Sequence, residues 1–140
     1  MTDDLRLRTA WALGWEQRQR WTSANGDLYE DWYKPDGCGW TFGAREDGSI
    51  DYDTAMPAYG LTWASCEEID AAIKERGWNY SVRAQAVSVA VHGPLCVVRI
   101  EMPARSGIRK RTRCISEEQA PTFPAAFALA FCQAVEANGE

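Results

Sequence analysis

Histidine is almost absent from this sequence, since His92 is its one representative. A histidine-dependent triad or metal site would have to use His92, and a site with two or more histidines is excluded. His92 precedes Gly93 and Pro94, a combination typical of an exposed turn, and no nucleophile motif or metal-spaced partner accompanies it. We therefore expect a turn residue with no catalytic role.

Three other signals are missing. No run approaches the roughly 20 apolar residues that span a bilayer, and the opening MTDDLRLR lacks the apolar core of a signal peptide. The glycines at 37, 39 and 43 fit neither GxGxxG nor GxxxxGK[ST], so no standard phosphate loop is predicted. We expect a cytoplasmic protein with no membrane segment and no cofactor.

The five cysteines are odd in number, widely spaced and never form CxxC. This is not the pattern of a disulfide framework, and a reduced cysteine in an apolar run behaves as a small hydrophobe. We predict free, mostly buried thiols.

Charge is unevenly distributed along the chain. Residues 25–75 carry twelve acids against three bases, whereas residues 76–115 carry eight bases against one acid. The net charge of -5 therefore conceals a basic region that could attract an anion.

Hydrophobic periodicity predicts helices at 3–13 and 65–76 and after Thr122, with strands at 29–34, 40–44, 78–82, 87–91, 96–100 and about 109–115. Ser65 and Glu68 have the spacing of a capping box, Gly77 can close that helix, and residues 103–107 resemble a connection. The predicted fold class is α+β, with an antiparallel sheet packed between helices (an α/β/α sandwich) in a single domain over residues 1–140.

Three phrases of the sequence resemble the phage ABA sandwich domain family, a group of small bacteriophage proteins. They are Ala12-Leu13-Gly14-Trp15 followed by Trp21, Pro57-Ala58-Tyr59 ahead of the 65–76 helix and Gly77-Trp78, and the run from Ala120 through Pro121-Thr122-Phe123-Pro124 into an alanine-rich helix. The similarity covers most of residues 5–137, while residues 36–55 and the stretch after Pro103 depart from the family pattern. The resemblance implies a phage product acting inside a bacterial host and supplies no catalytic residues.

The densest basic cluster comprises Arg105, Arg109, Lys110, Arg111 and Arg113. On a strand, alternate arginines of this segment would point to one face and could grip phosphates. A charged strand edge that resists aggregation explains the same pattern, so both interpretations stay open.

Seven tryptophans are many for this length, and we predict that Trp21, Trp32 and Trp40 contribute to a partner-binding surface. Packing of large rings in a small core is the alternative.

Asp51 and Asp53 are two nearby loop carboxylates, but they lack the further ligands of a calcium loop and are only a weak metal candidate.

We expect a non-enzymatic binding protein that engages a host protein or an anionic, nucleotide-type small molecule, with an anti-defence role as one form of this function. The alternative is a nucleic-acid or nucleotide binder that uses residues 105–113. An enzyme using Asp51, Asp53 or a cysteine comes third. Partner identity and oligomeric state do not follow from the sequence.

Overall fold

The computed structural model describes residues 2–85, 95–106 and 109–138. Within these ranges the elements are α1 (Thr2–Ala12), β1 (Glu16–Thr22), β2 (Leu28–Tyr33), β3 (Gly39–Gly43), α2 (Cys66–Glu75), β4 (Asn79–Gln85), β5 (Leu95–Ser106), β6 (Arg109–Ala120) and α3 (Phe123–Ala137). The strands form two antiparallel sheets, with orders β1-β2-β3 and β4-β5-β6. The predicted α+β class, with helices packed against a sheet, is confirmed.

The chain forms two compact units. The larger unit comprises Met1–Leu13 with Tyr59–Glu140, and the smaller unit comprises Gly14–Ala58. Each therefore has its own three-stranded sheet, and all three helices belong to the larger unit. That the whole chain is one domain stays a prediction.

The core of the larger unit surrounds α3, which packs against β5, β6, α1 and α2. Phe127 and Phe131 of this helix are almost completely buried, and Val98 and Ile100 of β5 supply the sheet side of the same core. Burying one such side chain stabilises the fold by about 1.5–3 kcal/mol. This unit can therefore support the hairpin of β5 and β6.

Two of the three predicted helix boundaries are confirmed. The Thr122 side chain accepts a hydrogen bond from the Ala125 backbone N–H, with Pro124 in the first turn of α3. Gly77 closes α2 with a φ of 75°.

The predicted capping box is wrong, because Ser65 has helical backbone angles and makes no capping hydrogen bond. Its hydroxyl donates to the Thr62 carbonyl instead, and Glu68 accepts from the Tyr59 hydroxyl. Both side chains of the motif therefore make other hydrogen bonds, and Ser65 lacks the extended backbone of an N-cap residue.

The predicted strands at 78–82 and 96–100 do share one antiparallel sheet, as β4 and β5. The connection predicted at 103–107 is wrong, since β5 continues to Ser106 and Pro103 pairs with Thr112 of β6. The β4 pairing ends at Glu101, so within the described part of the chain β5 has one partner strand, β6, at Pro103. A proline is tolerated there because it need not donate to a second strand. The strand predicted at 87–91 and His92 lie outside the described residues.

The first strand of the smaller unit, β1, was not predicted at all. Its sequence, EQRQRWT, is almost entirely polar and carries no apolar alternation that could mark a strand.

Among the residues that the structure describes, no helix has the length and apolar character needed to cross a membrane.

Candidate binding surface

The sheet of the smaller unit has two chemically different faces. On β2, Glu30 and Trp32 are buried, whereas the alternating residues Tyr29, Asp31 and Tyr33 are half-buried on the opposite side. We call that opposite side the aromatic face. Strand register and ring contacts assign it Arg18, Gln19 and Trp21 of β1, Tyr29, Asp31 and Tyr33 of β2, and Gly39, Thr41 and Gly43 of β3.

The inner side of this sheet forms a small aromatic core. Trp32 and Phe42 contact Tyr52 edge-on, with ring centroids 6.3 and 5.4 Å apart. Glu30 lies among these rings and accepts hydrogen bonds from Trp32 Nε1 at 3.0 Å and from the Tyr52 hydroxyl at 2.7 Å. The core fixes which side of β2 faces inward, and so presents the aromatic face outward.

At one end of the aromatic face, Trp21 and Tyr29 stack as cross-strand neighbours, with centroids 4.6 Å apart and planes inclined by 22°. Tyr29 leans over Gly43 on its other side, where an added Cβ would approach the ring to 3.2 Å. A larger residue at 43 would displace this ring. Trp21 is 37% exposed, so the stack presents indole surface to a partner.

The opposite end repeats this arrangement with a cation in place of the indole. The Arg18 guanidinium lies 4.4 Å from the centroid of Tyr33, in a cation–π contact. On its other side Tyr33 lies so close to Gly39 that a Cβ there would be 2.5 Å from the ring. Each tyrosine is therefore held between a β1 side chain and a β3 glycine.

Asp31 lies between the two ring stacks, about 7 Å along β2 from either tyrosine. Its carboxylate accepts from Trp21 Nε1 at 3.3 Å through one oxygen and from the Thr41 hydroxyl at 2.7 Å through the other. An ionised carboxylate has about four acceptor positions, so further donors can be accommodated. The contacts both orient the indole and leave an anionic centre on the face.

The excess of acidic over basic side chains lies entirely in the smaller unit. Residues 14–58 contain nine acidic and four basic side chains, a balance of -5, whereas acids and bases in the rest of the chain are equal at eleven each. The aromatic face therefore belongs to an acidic unit, which attracts cations and repels phosphates.

The tryptophans predicted to bind a partner occupy different environments. Trp21 lies on the aromatic face, whereas Trp32 is 1% exposed and belongs to the inner core. Trp40 is half-buried and packs against Trp15, with ring centroids 5.4 Å apart. Only Trp21 among the three contributes to the surface described above.

The basic segment 105–113 lies at the tip of the hairpin of β5 and β6, in the larger unit. Backbone pairing brings Arg105 opposite Lys110 and Met102 opposite Arg113. Arg113 also contacts the Met102 sulfur, at 3.2 Å. Both arms of the hairpin thus carry basic residues, whereas the sequence had placed Arg105 in a connection.

The candidate metal carboxylates are both engaged by one cation. Arg45 donates to Asp51 at 3.2 Å and to Asp53 at 2.9 Å through the same nitrogen. Over the described ranges, no group of three or more histidine, cysteine or acidic side chains has the arrangement of a metal site. The two aspartates thus serve to hold the loop after β3.

A separate apolar groove of about 540 Å³ lies in the larger unit, lined by Trp63, Val82, Leu95, Cys96 and Phe123 among others. Trp63 is 70% exposed and stacks on Phe123 at 5.0 Å. Burial raises the pKa of the Cys96 thiol, which keeps it protonated and poorly nucleophilic. Among the described lining residues, Arg83 is the one charged side chain that could orient a polar ligand.

Most of the aromatic face was missed from the sequence. In the run Leu28–Tyr33, aromatic and acidic residues occupy both sides of the strand, so alternation alone does not show which side is buried. The glycines at 39 and 43 were the one available signal, since glycine within a strand often marks close approach of another group.

Comparison with known proteins does not assign the chain to a family. No family model matches the chain, and no curated protein is significantly similar to it. The fold and the surface together define an α+β protein with an aromatic, carboxylate-centred sheet face.

Proposed function

We propose that this chain is a non-enzymatic binding protein that engages a protein partner through the aromatic face. The observation that carries the proposal is the pair of ring stacks around Asp31, with Trp21 exposed at the edge of the sheet. Tryptophan, tyrosine and arginine are the residues that most often dominate binding energy at protein interfaces. Glycine contacts behind both tyrosines hold the rings in place, which lowers the entropy lost on binding.

The resemblance to the phage ABA sandwich family supports a wider setting for this role. We include in the proposal that the chain is a phage product, that it acts in the cytoplasm of a bacterial host, and that its partner is a host protein, with opposition to a host defence as one form of the activity. No cofactor takes part in this function.

Quantitative capture with the full-length protein tests the proposal. Trp21→Ala should weaken retention of a bound host protein by about thirtyfold, equivalent to roughly 2 kcal/mol for an interface hot spot. Trp63→Ala is the matched control, because it removes an exposed, stacked tryptophan from the other unit. Identical sets of retained proteins for the parent and Trp21→Ala would refute the aromatic face as the binding surface.

A second candidate function is favoured by the pairing of Arg105 with Lys110 at the hairpin tip. Five basic residues within nine positions suit a nucleotide or nucleic-acid ligand, whose binding would weaken steeply with salt. The test is the double variant Arg109→Glu with Arg111→Glu, whose folding is checked by circular dichroism. If this variant binds single-stranded RNA as tightly as the parent, the segment only solubilises the strand edge.

A further inference from the structure

The free side of Trp21 and the Asp31 carboxylate lie next to each other on the aromatic face. Trp21 Nε1 donates to Asp31 Oδ2 at 3.3 Å, so the carboxylate lies at the edge of the indole. One side of the indole stacks on Tyr29, and Trp21 as a whole remains 37% exposed. A group that stacks on the exposed indole can therefore also reach an anionic acceptor.

The other end of the same face shows which group has this combination of properties. Arg18 stacks its guanidinium on Tyr33 at 4.4 Å, so the chain already uses an arginine to cover one tyrosine. A guanidinium is planar, stacks on aromatic rings and donates two parallel hydrogen bonds to a carboxylate. Lysine has a compact ammonium that cannot do both in one plane.

Charge supports the same ligand. The smaller unit has a net charge of -5. On the aromatic face, the charged group beside Trp21 is Asp31. The neighbouring Arg20 points to the inner side of the sheet, where its guanidinium lies 3.8 Å from Glu30. A phosphate or nucleic acid would meet repulsion here, whereas a basic segment is attracted.

We infer that the Trp21–Asp31 pair is a docking site for an arginine side chain of a basic protein segment. The inference rests on the proposed function and deepens it by naming the partner's chemistry. The guanidinium stacks on the exposed side of Trp21 and donates to Asp31, whose carboxylate the Thr41 hydroxyl steadies from the β3 side. Arg18 and Tyr33 then form the rim of the interface.

The test follows the indole N–H resonance of Trp21 in the full-length protein by NMR, assigned with Trp21→Phe. The probe is a short synthetic peptide of alternating arginine and glycine. Its control replaces each arginine by citrulline, which has the same shape without the charge. The arginine peptide should shift the Trp21 resonance in a saturable way that weakens with salt, and the citrulline peptide should not.

Matched variants separate a docking site from general attraction. Asp31→Asn should weaken binding of the arginine peptide at least about tenfold, because it removes the anionic acceptor beside the ring. Glu46→Gln removes an equal charge from an exposed turn of the same unit and should change binding by less than about twofold. Equal losses in the two variants would overturn the inference.

Two other results would also overturn it. One is an equal response to the citrulline and arginine peptides, which needs no variant and so does not depend on the folding of Asp31→Asn. The other is a Trp21 shift caused by an oligouridine RNA and not by the arginine peptide. If either occurs while Trp21→Ala still loses a captured host protein, the proposed function survives and only the arginine specificity fails.

Discussion

The buried carboxylate of Glu30 should be the most sensitive single position in the smaller unit. The residue is 5% exposed, and one of its oxygens accepts from both Trp32 Nε1 and the Tyr52 hydroxyl. The substitution Glu30→Met introduces an apolar side chain of similar length and removes this shared acceptor. Both donors then lose their bond to it inside the core.

The expected cost follows from these two bonds. Leaving a buried donor without its acceptor costs about 1–3 kcal/mol, so two donors give about 2–6 kcal/mol. Methionine also relieves the desolvation of a buried charge, which offsets part of this sum. Because the donors remain polar and enclosed, we expect the loss to dominate, with a net destabilisation of about 2–4 kcal/mol.

Urea unfolding followed by tryptophan fluorescence measures this cost. Glu30→Gln is the control, since its amide keeps a carbonyl acceptor in the same place, and we expect it to cost about 1 kcal/mol. Adding Tyr52→Phe to Glu30→Met removes one of the two donors that had bonded to Glu30 and should recover part of the stability. The reasoning fails if Glu30→Met costs less than about 1 kcal/mol, or if it costs no more than Glu30→Gln.

Two further predictions concern the larger unit and the thiols. The hydrogen bond from Arg8 to Glu136 joins α1 to α3 and lowers the pKa of the Glu136 carboxyl. Its contribution to the free energy of unfolding is therefore complete above the unfolded pKa of about 4.3. This contribution is lost as the pH falls through the lower pKa of the folded state. Because both groups are largely exposed, a double-mutant cycle should give only about 0.5 kcal/mol at neutral pH, and a coupling that persists at pH 2 would contradict the assignment. All five thiols should titrate in denatured, non-reduced protein, whereas Cys132 should react slowly in the folded state because burial shields it and raises its pKa; fewer than five thiols after denaturation would reveal a disulfide.

Helix ends could be predicted where the local sequence itself makes the boundary. Thr122 with Pro124 and the glycine at 77 act within one turn of their own helix, and both predictions are confirmed. Ser65 and Glu68 have equally good spacing, but groups of the preceding loop compete for both side chains. Ser65 donates to the Thr62 carbonyl, and Glu68 accepts from the Tyr59 hydroxyl. The S-x-x-E spacing alone does not reveal either bond.

The strands could also be predicted only in part, because strand pairing joins residues that are far apart in the sequence. Period-two patterning located β4 and the first half of β5. In β5 the pattern has a clear cause, because Val98 and Ile100 are buried in the core around α3, whereas Val82 of β4 is 48% exposed. It missed β1, whose polar residues join the sheet through backbone bonds and through Trp21 at its far end. It also ended β5 too early, since among the described residues β5 pairs only with β6 beyond Glu101, and a two-stranded hairpin needs no apolar alternation.

The candidate site was hidden by register, a property that no single segment determines. Tyr29, Asp31 and Tyr33 acquire a common outward direction only because Glu30 finds Trp32 and Tyr52 on the other side. The irregularity between Gln17 and Gln19 of β1 then shifts that strand's pairing, so Trp21 falls opposite Tyr29. Since a slip of one residue would turn every side chain to the other face, the same amino acids in another register would bury Trp21 and expose the Glu30 network. Recognition by this face therefore depends on the core beneath it, and a core substitution such as Glu30→Met should weaken binding of an arginine peptide without touching the surface.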